Sequence, residues 1–176
     1  MLNISEINSV KKKYKEFIDS LSVGDSSFMF TPHSEITPYA RCFAIFGYHL
    51  LLDNERLFSN ADTLALAVRE DLDLVRGERK KAGVCLRYDK PYLQLLAFSL
   101  SALSVLDRLQ NDSLEDHVLP LLSNDIKTDL LQVGAFDGVP RSGNQAMFMA
   151  IILCHAQKYL NVNVDNLIED WQKLHT

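Results

Sequence analysis

Three apolar runs constrain this chain more than any other feature. They begin near residues 38, 91 and 143, spaced 53 and 52 residues apart, and read PYARCFAIFGYHLLL, PYLQLLAFSLSALSVL and, from Ala146 to Cys154, nine consecutive apolar residues. Each is too long and too uniformly apolar for an ordinary strand. Each is also shorter than the roughly 18–20 residues needed to span a bilayer. A helix that is apolar all round must be covered on every side, so the three runs predict buried helices at 38–52, 91–107 and 143–160. Pro38 and Pro91 open two of them, which suits a first helical turn with no N–H partner to lose.

The segments between these runs have one-sided patterns. Residues 4–21 set Ile4, Ile7, Tyr14, Phe17, Ile18 and Leu21 on one face, with lysines opposite. Residues 60–76 carry Leu64, Val68, Leu72 and Val75 on one stripe, and Gly77 with the charged run to Lys81 is expected to end that helix. Residues 23–37 read as a loop. Ser113-Leu-Glu-Asp116 resembles a capping box. A short helix is expected at about 124–133, and a final amphipathic helix would carry Val164, Leu167, Ile168, Trp171 and Leu174.

Strand signals are weak throughout. The expected class is all-α, a single domain over residues 1–176. Alternating apolar and amphipathic helices predict a layered array of about three helical hairpins, inner apolar and outer amphipathic. In helix order this resembles an arc of an α/α toroid or a short α-solenoid; the alternative is an irregular helical bundle.

A net charge of −5 argues against a nucleic-acid partner, which needs a basic surface. No apolar stretch follows Lys11–Lys15 as it would in a signal peptide, and no run reaches membrane length, so a cytoplasmic chain without a membrane partner is expected. Three cysteines, Cys42, Cys85 and Cys154, are an odd set without a CxxC pair, which fits a reducing compartment. Cys42 and Cys154 read as small core hydrophobes.

If the three apolar helices run parallel, their polar starts converge. Tyr39, Tyr92, Arg141, Ser142 and Asn144 then form a candidate ligand site, where unpaired N–H groups and cationic side chains would favour an anion. The same residues also suit plain capping and turn chemistry. His49 and His155 read as core histidines rather than ligands. Arg41 and His49, two turns apart, do not suit a compact catalytic pair. Glu70, Asp71 and Asp73 spread around their helix and read as a solvated face, with Asp71 nearest the apolar stripe. Lys11–Lys15 and Arg79–Lys81 read as solvated faces too, with partner binding as the alternative.

No metal site, cofactor motif, P-loop, GxGxxG or GxSxG is present. The favoured function is a non-catalytic helical interaction module, an adaptor, inhibitor or immunity-type protein, binding a partner protein. The alternative is a small enzyme or enzyme subunit acting on an anionic sugar or similar metabolite at the starts of the inner helices. A regulator binding a hydrophobic small molecule is a third possibility. Oligomeric state and the partner's identity are not legible.

Overall fold

The computed structural model describes residues 3–111, 113–122 and 143–164, and these are all-helical. The elements are α1 (Ile4–Ser20), α2 (Pro38–Leu50), α3 (Asn54–Ser59), α4 (Ala61–Lys81), α5 (Lys90–Val105), α6 (Glu115–Val118) and α7 (Gly143–Tyr159), with 3₁₀ turns at Leu86–Tyr88 and Leu119–Leu121. Extended pairing among the described residues is confined to two isolated bridges in the loop before α2, Ser22 with Phe28 and Met29 with Ile36. No helix among the described residues is long and apolar enough to cross a membrane. The expected helix at 124–133, Trp171 and the final amphipathic helix beyond Val164 lie outside the described residues.

The chain forms two compact units. The first holds α1 to α3, α4 up to Asp71, and Ala102–Arg108; the second holds the rest of α4, α5 up to Ser101, and the described residues after Leu109. In the first unit, α1 begins with a reciprocal cap. The Asn3 side chain accepts from the Glu6 N–H at 2.9 Å, and the Glu6 carboxylate accepts from the Asn3 N–H at 2.7 Å. Thr37 caps α2 by accepting from the Ala40 N–H at 3.1 Å, just ahead of Pro38. α2 and α1 meet at Gly47, where an added Cβ would lie 2.5 Å from Ile18 Cδ1.

Of the three apolar runs, α5 has the all-round burial that its sequence implies: Tyr92, Leu93, Leu95, Leu96, Leu100 and Leu103 are all within the core. The other two depart from expectation. Phe43 is 47% exposed and Leu50 77% exposed on α2. On α7, Met147 and Cys154 are exposed and Ile151 is half-buried. Helix α1 has no buried residue at all, despite its strong apolar stripe. The apolar faces of α1 and α2 are therefore only partly covered in the first unit. Cys154 is likewise not the core hydrophobe expected, and none of the three cysteines forms a disulfide among the described residues.

Helix α4 also outruns its predicted end. It passes through Gly77 and stops at Gly83, which has φ +71°. There the Gly83 N–H donates to the Lys80 carbonyl and the Val84 N–H to the Arg79 carbonyl, both at 3.0 Å. That paired pattern is a Schellman cap, which requires a left-handed residue that Gly77 does not supply. Arg79, Lys80 and Lys81 occupy the last turn, where the helix dipole favours cations. The sequence Ser113–Asp116 does not form the anticipated cap either. Leu114, in a left-handed conformation, precedes α6 without a side-chain cap bond, and the Ser113 carbonyl is instead taken by His155.

The two glycines should respond oppositely to the same substitution. Nothing lies within 4 Å of a Cβ at Gly77, so Gly77→Ala should raise stability by about 0.5–1 kcal/mol. Gly83→Ala should lower stability by about 1 kcal/mol, because its φ is unfavourable for a side chain. Urea midpoints measured on the two variants check both signs.

Candidate functional site

The partly covered faces of α1 and α2 enclose an open apolar groove of about 530 Å³. Helix α1 contributes Tyr14, Phe17 and Ile18, followed by Leu21. The loop before α2 contributes Phe28, Met29 and Phe30. From α2 come Ala40, Phe43, Ala44 and Gly47, continued by Leu50 and Leu51. Small residues at 40, 44 and 47 lie one turn apart and leave the floor low. Phe28 is buried and meets Tyr48 edge-on at 6.3 Å, while Phe30 and Phe43 meet at 5.7 Å along the wall. All linings are uncharged, and their chemistry is burial of carbon surface. The size falls within the range typical of ligand sites, about 300–1,000 Å³.

Two polar anchors hold the groove's walls. The first is Arg41, a buried arginine on α2. Its guanidinium donates to the Ser26 carbonyl in the loop, to the Ala67 carbonyl at 2.9 Å, and to the Asp71 carboxylate on α4. Burial lowers the Arg41 pKa, with Glu70 pulling the other way; arginine still remains charged. Asp71 supplies the counter-charge, so the residue flagged by its position beside the stripe is an ion-pair partner rather than part of a solvated face.

The second anchor ties α1 to α2 and α3. Lys15 pairs with Asp53 at 2.6 Å and Asp19 at 3.4 Å, and Arg56 pairs with Asp19 at 3.4 Å. The Tyr48 hydroxyl donates to Asp19 at 2.8 Å, and both cations lie over its ring. Burial and this hydrogen bond push the Tyr48 pKa up. The hydrogen bond from Lys15 lowers the Asp53 pKa, and the same bond raises that of Lys15. This network grips the flank of α1 next to Ile18, roughly 60° round the helix from it, and the C-terminal half of α1 only. Residues 3–10 are exposed on every side.

The second unit holds a different cluster. His117 is fully buried on α6; its Nδ1 is 2.8 Å from the Tyr92 hydroxyl and its Nε2 is 2.9 Å from Asp73. Asp116 lies 3.7 Å from the same Nε2. One atom from each of Asp73, Asp116 and His117 falls within 4.8 Å of the others, a spacing that could admit a metal ion. Arg76 already donates to the Asp116 carboxylate at 2.7 Å, so a guanidinium partners one of the three groups. The arrangement works as a hydrogen-bonded tie from α5 through α6 to α4.

The five sequence-predicted site residues fare differently. Tyr92 lies wholly inside the second unit, its hydroxyl committed to His117. Tyr39 is half-buried in the first turn of α2, in the first unit, and Asn144 is exposed at the start of α7. Arg141 and Ser142 lie outside the described residues. The polar lead-in to α5 is engaged in scaffolding: Arg87 donates to the Leu122 carbonyl at 3.2 Å, and Asp89 pairs with Arg79 at 3.3 Å. His49 is exposed rather than in the core. His155 is buried as expected, its Nε2 2.6 Å from the Ser113 carbonyl and its ring stacked on Tyr159. The sequence does not reveal the groove because its apolar linings read as core: the stripe of α1 is legible, but not that it stays partly uncovered against α2.

Comparison of the chain with protein-family models, with curated proteins and with solved structures finds no match to any of them.

Two measurements check these anchors. Arg41→Met removes the charge but leaves Asp71 and two carbonyls without their donor. It should cost about 3–5 kcal/mol in a chemical-denaturation experiment. The second concerns His155, whose pKa burial lowers from 6.5. The unfolded chain takes up a proton as pH falls through 6.5, while the folded one resists it. Stability from the neutral ring is thus complete above pH 6.5 and declines as pH falls toward the depressed folded value. An NMR titration should find the His155 ring still neutral where a free histidine is already charged.

Proposed function

We propose that this chain is a helical interaction module and that the α1/α2 groove receives an apolar segment of a partner protein. The carrying observation is the groove itself: an apolar trough walled by side chains such as Tyr14, Phe17 and Phe43, which remain about half exposed. Large aromatic side chains left in water are costly unless a partner buries them, and each one fully buried contributes up to about 2–3 kcal/mol. Aromatic anchors at the centre of a concave surface are also the usual source of affinity in protein interfaces.

The groove's length supports a helical occupant. The apolar stripe runs beyond the groove along the exposed turns of α1, through Val10 and Ile7 to Ile4. From Ile4 to Leu21 it measures roughly 25 Å, the length of about 17 helical residues. A small molecule would fill the trough and leave those turns bare. An amphipathic helix laid in the trough covers both, as in other helix-in-groove interactions. The competing reading, a small enzyme acting on an anionic sugar, relied partly on Tyr92, whose hydroxyl is engaged with His117.

A fluorescein-labelled model helix with a leucine face and uncharged glutamine flanks tests this reading. It should bind the chain with rising anisotropy. Phe43→Glu, at an exposed position on the groove wall, should weaken binding at least about tenfold without unfolding the protein. Phe17→Glu, at an exposed position on the α1 wall, should do the same. Binding that survives both substitutions would place the interaction elsewhere.

A further inference from the structure

We infer that the partner helix carries carboxylates along both borders of its apolar face, and that Lys11 and Lys13 of α1 clamp them. This rests on the groove reading above and adds the partner's charge pattern. The lysines of α1 are not all opposite its stripe: at about 100° per residue, Lys11 lies roughly 20° from Ile18, on the side of Ile4, at one border, and Lys13 lies roughly 40° from Phe17 at the other. The other two lysines of α1 are already used. Lys12 is within 3.9 Å of Glu16, and Lys15 is bound to Asp53 and Asp19. Lys11 and Lys13 make no ion pair among the described residues, Lys13 is exposed and Lys11 half so. The α1 stripe that extends from the groove thus has a cation on each side, on a chain whose net charge is −5. Its complement is an apolar stripe with an anion on each side.

Two other occupants fit less well. A second copy that lays its own α1 in the groove pairs α1 with α1. The lysines sit at the midpoint of Ile4–Ser20, so an antiparallel pairing in full register sets Lys11 against Lys13 of the second copy. A parallel pairing sets each lysine against itself. Both bring like charges together, which is unfavourable. An anionic lipid surface matches the lysines but not the shape. Phe28, Ala44 and Gly47 lie on the walls and floor of a concavity, and a helix lying in a bilayer interface buries a convex face.

The test uses three labelled model helices of about 17 residues with the same leucine face. Their border positions carry glutamate, glutamine or lysine. At low salt the glutamate helix should bind about tenfold more tightly than the lysine helix, and the gap should shrink at high salt. The double substitution Lys11→Glu/Lys13→Glu, made at solvated positions, should invert that order. If all three helices bind equally, the charge inference is overturned and the groove reading stands. If none binds, both fall. Binding to phosphatidylserine vesicles in place of the helices would overturn the inference in favour of a lipid surface. A dimer in sedimentation equilibrium that Phe43→Glu dissolves would overturn it in favour of a second copy.

Discussion

The first unit is organised around a buried positive charge. Arg41 sits one turn into α2 and spends its donors on the loop, on α4 and on a carboxylate. Burying a guanidinium costs several kcal/mol, and the cost is met only if its donors find acceptors in fixed places. That requirement dictates geometry. Ser26 must present its carbonyl inward, so the loop from Ser22 to Thr37 must fold back over α2. Phe28 and Met29 are then carried to the wall of the groove. A methionine or leucine could fill the same volume, but it would not tell the loop where to lie.

Next to this fixed wall is a wall held differently. The polar network of Lys15, Asp19, Asp53, Arg56 and Tyr48 is partly solvated, and its ion pairs are individually weak. Together they fix the flank of α1 and leave its apolar face open. At Gly47 the two helices come close, and an added Cβ would lie 2.5 Å from Ile18 Cδ1. Close contact there and a polar strap on the neighbouring flank leave the rest of the apolar face as a trough. A side chain at residue 47 would require the end of Ile18 to shift.

Most helices were legible because their periodicity is local. The run at 91–106 is the clearest case: it reads as apolar all round and is buried all round. The run at 38–52 has equally apolar composition, yet Phe43 and Leu50 face outward. Composition states what a helix would prefer to bury, not whether a neighbour is there to bury it. Caps were legible in principle: Asn3 and Glu6 stand at capping-box spacing, but went unread. Gly77 reads as a stop because it is a glycine near a charged run, whereas the left-handed residue is Gly83. The ties from Arg41 to Asp71 and from Tyr92 to His117 span 30 and 25 residues. No local pattern encodes them, because each depends on which elements meet. The candidate anion site depends on where the starts of three helices lie, and the groove on where α1 meets α2.

Helix α1 is secured unevenly along its length. Its last turns are strapped to α2 and α3, while its first turns are kept helical by one reciprocal cap. Short unpacked helical turns open readily, since few contacts oppose the entropy of the coil. An occupant in the groove would extend along those turns and close them, so occupancy and local unfolding become opposing states of the same segment. Proteases cut chains in proportion to how often they open. If the proposed helix binds there, an unoccupied copy would be the more degradable one, and the amount of this protein would follow the amount of that helix.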